Sequence, residues 1–83
     1  MKEKLDIIKK EITEPMNKMD IIVDSIDFVN ENNYYFLKIV LDKVNGIDLD
    51  TIVEATNVIN PIIDKLDLIE EEYVLDISSK ERG

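Results

Sequence analysis

The chain is 83 residues long, 45% hydrophobic and 35% charged, with 19 acidic against 10 basic residues and a formal net charge of −9. That length gives one small domain, residues 1–83, with room for a single core, and the hydrophobic content argues against disorder. Nine lysines scattered among acids, with one arginine (Arg82) at the very end, supply no cationic track for a phosphate backbone. Direct nucleic-acid binding is therefore disfavoured, and a basic protein surface suits the field better.

There is no cysteine and no histidine. Their absence removes the thiolate, the commonest general base and the commonest transition-metal ligand, so neither a cofactor nor a metal is expected. The start shows no apolar run behind positive charge, and nothing approaches the ~20 apolar residues of a membrane span. The expected compartment is the cytoplasm.

Lys2 to about Met19 reads as an amphipathic helix, because Leu5, Ile8, Ile12, Met16 and Met19 recur at spacings of three and four. Pro15 removes one amide donor and predicts a kink or break near Glu14. From Ile21 to Val29 the chain is β-rich with imperfect alternation. Ile22, Ile26 and Phe28 share one parity, with Asp24 as the exception, whereas Ile21, Val23 and Val29 take the other. That pattern predicts a strand covered on both faces or one carrying a bulge.

Asn30-Glu31-Asn32-Asn33 is a polar turn, and Tyr34 to Lys43 reads as the second strand of a hairpin. Asn45-Gly46 is the strongest turn signal, with Gly46 supplying positive φ. Asp48 is placed to cap a second helix whose buried stripe is predicted as Leu49, Ile52, Thr56, Ile59, Ile63 and Leu66, with Pro61 inside it. Glu70-Glu71-Glu72 forms an acidic loop, and Tyr73 to Ser78 reads as a third strand. The predicted class is α+β in the order α-β-β-α-β.

No constellation points to catalysis. The many carboxylates come without histidine, cysteine or a glycine-rich loop, so the chain is expected not to be an enzyme. Asp42 to Asp48 invites comparison with a calcium loop, but placing Gly46 sixth puts Leu41 first, Lys43 third and Ile52 where the bidentate glutamate belongs. Asp24-Ser25-Ile26, together with the size and charge, is similar to the Asp-Ser-Leu of acyl carrier proteins, which carry phosphopantetheine on the serine. A carrier-like protein modified at Ser25 is therefore one alternative, although Ser25 lies in a β-rich run rather than at a helix start. A generic protein-interaction module is another. Tyr34, Tyr35 and Tyr73 would be stacking platforms only beside a cationic groove, and otherwise read as half-buried strand residues.

The second half carries a family resemblance. Leu37-Lys38-Ile39-Val40-Leu41-Asp42-Lys43, Gly46-Ile47-Asp48-Leu49-Asp50, Glu54-Ala55-Thr56-Asn57 and Glu71-Glu72-Tyr73-Val74-Leu75-Asp76-Ile77-Ser78-Ser79 together resemble the ribosome maturation factor RimP family. The last of these looks like that family's Tyr-x-Leu-Glu-Val-Ser-Ser-Pro-Gly signature, but Lys80, Glu81, Arg82 and Gly83 stand where it continues through Pro-Gly. The resemblance implies the amino-terminal domain, with two helices packed on one face of a three-stranded sheet. An SH3-like domain follows in the family and is expected to be absent from this chain. The resemblance also implies a non-enzymatic assembly factor that binds the immature small ribosomal subunit, including a basic ribosomal protein. The expected partner-binding residues are Asp42, Lys43, Glu70, Glu71, Glu72, Asp76, Ser78 and Ser79. Each also has a plain structural role, such as ordering the turn before Gly46 or satisfying backbone at a strand end.

Overall fold

The computed structural model describes residues 1–80; Lys80, where the sequence begins to depart from the family signature, is the last of them, and Glu81–Gly83 lie outside the described residues. Helix α1 runs Lys2–Lys18, strand β1 Ile22–Glu31, β2 Tyr34–Asp42, helix α2 Leu49–Leu66 and β3 Tyr73–Ser79. The fold is α+β in the predicted order.

In α1, Ile8, Ile12 and Met16 are buried at four-residue spacing, one face of a helix. Pro15 lies inside the helix without breaking it. Ile12 and Met16 anchor the turns on either side, and that burial outweighs the one missing hydrogen bond. The helix ends in a Schellman-type cap. Ile21 N–H reaches Met16 O at 2.9 Å and Asp20 N–H reaches Asn17 O at 3.0 Å, with Asp20 at φ 62° in the left-handed position usually held by glycine. Met16 and Ile21, both fully buried, close the corner apolar-to-apolar and aim the chain into β1.

The sheet order is β1-β2-β3, with β1 antiparallel and β3 parallel to the central β2. The irregular alternation of β1 resolves as a bulge between Val23 and Ser25. The extra residue, Asp24, shifts the parity, so Val23 faces the helices on one side of it and Ile26 and Phe28 do so on the other. Asn32 and Asn33 join β1 to β2 with φ of 53° and 69°, a two-residue turn of the type that matches strand twist.

The core lies between the helices and one face of the sheet. Leu37, Ile39 and Leu41 of β2 are fully buried there, beside Val23 and the helix residues Ile8, Ile12, Met16, Ala55, Ile59 and Ile63. Asp48 caps α2, its carboxylate accepting from Thr51 N–H at 2.8 Å and from the Thr51 hydroxyl at 2.7 Å. Pro61 lies inside α2, again without ending it. One expectation fails: Leu49, predicted on the buried stripe, is 77% exposed. At 100° per residue it stands about 80° round the helix from Ile59, at the margin of the stripe rather than in it.

Candidate functional site

The expected partner-binding residues fall in three places, because β2 and β3 are parallel. Asp42 and Lys43 leave β2 at the end where Ser79 pairs with Leu41, and Ser78 with Val40. Glu70, Glu71 and Glu72 precede Tyr73, which pairs with Tyr35 at the opposite end beside the hairpin turn. Tyr73 and Ser79, which mark the two ends, are six residue steps apart along β3, roughly 20 Å. Asp76 stands between them, opposite Lys38 on the sheet face away from the helices.

At the first end the geometry is a built turn. Lys43 N–H donates to the Asp42 carboxylate at 2.8 Å, and Gly46 N–H closes on Lys43 O at 2.9 Å. Gly46 sits at φ 85°, the left-handed conformation it was expected to supply. The Thr51 hydrogen bonds hold the Asp48 carboxyl below its ordinary range, so it remains charged and serves the helix as a cap. Ser78 and Ser79 are exposed.

At the opposite end Glu70, Glu71 and Glu72 are all exposed. Glu71 and Glu72 line a groove of about 460 Å³ with Asn60, Asp64, Tyr73 and Leu75. Burial, and then the nearby charges of Asp64 and Asp67, push the Tyr73 hydroxyl above its ordinary range. The Phe28 ring stacks on Tyr35 with centroids 5.0 Å apart and meets Tyr73 edge-on at 6.3 Å. Tyr35 and Tyr73 are thus committed to packing, leaving Tyr34, 66% exposed, as the tyrosine most open to solvent.

The uncovered sheet face carries a charge row that sequence reasoning missed. Asp27, Lys38 and Asp76 are cross-strand neighbours, and the Lys38 ammonium also reaches Glu31 at 2.7 Å. That hydrogen bond, ahead of the charges of Glu31, Asp76 and Asp27, raises the Lys38 pKa. Lys80 pairs with Asp24 at 3.2 Å, so Lys38 and Lys80 are both held by acids of the same chain. The signal for such a row is β register, which no short sequence window contains.

Two other readings meet the geometry here. Ser25 lies within β1, paired with Val40, rather than at the start of a helix as a carrier serine does. Among the described residues, no three potential ligands converge on a metal position, and no helix is long and apolar enough to cross a membrane.

Residues 11–80 match the family model of the RimP N-terminal domain. The chain belongs to the RimP N-terminal domain family. RimP proteins are ribosome maturation factors acting on the small subunit, so ribosome biogenesis is the setting of this chain. The match spans α1 from its middle onward, the whole sheet and α2, which are the elements that carry the three places just described.

Proposed function

We propose that this RimP-type domain works in the cytoplasm as a non-catalytic binding module, docking on the immature small ribosomal subunit and on a basic ribosomal protein within it. The family match over residues 11–80 carries the reading. The charge supports the choice of partner: the chain has a net charge of −9, and Lys18, Lys38 and Lys80 are each paired with an acid of this chain. A field of that sign speeds encounter with a cationic protein and disfavours phosphate. We assign the encounter surface to Glu70, Glu71, Glu72 and Asp76, with Asp42, Lys43, Ser78 and Ser79 contributing at the far end of β2 and β3.

The test is a charge-neutral variant, Glu70→Gln, Glu71→Gln, Glu72→Gln and Asp76→Asn together. All four side chains are exposed, so the fold should survive. Exposed charges act mainly on association rate and salt dependence, so binding to immature subunits should weaken several-fold and its salt dependence should flatten. Unchanged affinity with an unchanged salt slope would refute the electrostatic mechanism.

A further inference from the structure

The two most exposed large hydrophobic residues among those described lie on the segment where β2 passes into α2. Val44, in the turn closed by Gly46, is 78% exposed, and Leu49, the first residue of α2, is 77% exposed. Val53, one turn further along the helix, is 52% exposed. Leu49 and Val53 are spaced i, i+4 and therefore form a continuous apolar strip on the flank of α2, away from the Ala55–Ile59–Ile63 stripe that enters the core. Surface leucines scattered singly need no explanation, but an i, i+4 apolar pair, with an exposed valine five residues before it in sequence, offers more apolar surface than a lone residue.

The charges around it restrict what can cover it. Asp48 and Asp50 flank Leu49 and Glu54 follows Val53, against one cation, Lys43 before Val44, whose charge acts on Asp48; between Lys43 and Lys65 the chain has no other basic residue, so the acids prevail. A second copy of this chain would bring the same acids against these. A phosphate backbone or an anionic membrane would be repelled in the same way. A protein segment bearing lysine or arginine around apolar side chains satisfies both features at once, with the apolar groups desolvating the strip and the cations meeting the acidic rim.

We infer that Val44, Leu49 and Val53 form the apolar anchor of the docking surface for the basic ribosomal protein, at the end of the fold where Asp42 leads out of β2. This rests on the proposed function above, and it places the anchor at the opposite end of the sheet from Glu70–Glu72. The acidic loop then guides approach from a distance, while the α2 strip makes the contact that dehydrates.

The experiment uses two kinds of variant. Val44→Gln, Leu49→Gln and Val53→Gln combined removes the apolar anchor without changing a charge, and the chain's lack of cysteine makes Leu49→Cys a unique attachment point for an environment-sensitive fluorophore. The triple variant should bind immature small subunits at least tenfold more weakly than the parent chain, with the salt slope kept. The fluorophore at position 49 should shift to the blue on binding, whereas one at Glu71→Cys should shift much less. Parent-like affinity of the triple variant, or an unshifted position-49 label on a chain that does bind, overturns the anchor while leaving the proposed function standing. Failure of the parent chain itself to bind overturns both.

Discussion

The exposure of Leu49 makes a quantitative prediction within a single helix. Ile59→Ala removes a side chain that is 0% exposed, and large-to-small changes at such positions cost about 2–5 kcal/mol through lost transfer energy and the cavity left behind. Leu49→Ala removes the same number of carbons from a residue with 77% of its surface in water. With under a quarter of the transfer energy at stake, and about 0.8 kcal/mol per buried methylene, the cost falls to about 0.5 kcal/mol. A domain of this size has a total stability of about 4–12 kcal/mol, so the two variants are readily separated by urea denaturation followed by far-UV circular dichroism. Ile59→Ala should move the midpoint strongly, and Leu49→Ala should leave it almost in place. A loss above about 2 kcal/mol for Leu49→Ala would mean that Leu49 is packed, which would remove the apolar anchor.

Three further outcomes follow from the turns and caps. Gly46→Ala meets no atom within 4 Å of its new Cβ, so its cost is purely conformational; at φ 85° it should lose about 1 kcal/mol, seen as a melting temperature lower by about 4–8 °C, and an unchanged melting temperature would contradict the turn. In the hairpin, Asn33→Gly should match or exceed the parent in stability, while Asn33→Val, a β-branched residue forced to φ 69°, should lose about 1–2 kcal/mol; equal stabilities would mean another turn is formed. The Asp48 carboxyl is held below its ordinary value in the folded chain, so the stability it contributes is present above that value and is lost as pH falls below about 4. The stability difference between the parent and Asp48→Asn, measured by urea titration from pH 6 to pH 2.5, should shrink towards the acid end, and a constant difference would refute the assignment.

Much of this architecture was legible because its signals are local. The four-residue spacing of Ile8, Ile12 and Met16, the polar turn read over Asn30–Asn33 (of which Asn30 and Glu31 prove to belong to β1), the Asn45-Gly46 turn, and Asp48 before an apolar repeat each lie within one short window. Even the bulge left a trace, since Asp24 interrupts the parity that Ile22 appeared to begin. What could not be read is set by neighbours far along the chain. Pro15 fails to end its helix because core packing on either side outweighs one lost hydrogen bond. Leu49 fits the helical repeat yet lies outside the covered arc, which depends on how α2 sits against α1 and β3. The candidate site suffered most. Parallel pairing of Tyr35 with Tyr73 and Leu41 with Ser79 sends Glu70–Glu72 and Asp42 to opposite ends of the sheet, and the Asp27–Lys38–Asp76 row exists only once three strands are in register.

The most direct test of the account is co-sedimentation of the chain with purified immature and mature small subunits, each at low and at moderate salt. The account predicts preferential binding to immature particles that weakens as salt rises. Equal binding to mature and immature particles, or no binding at either salt, would contradict it.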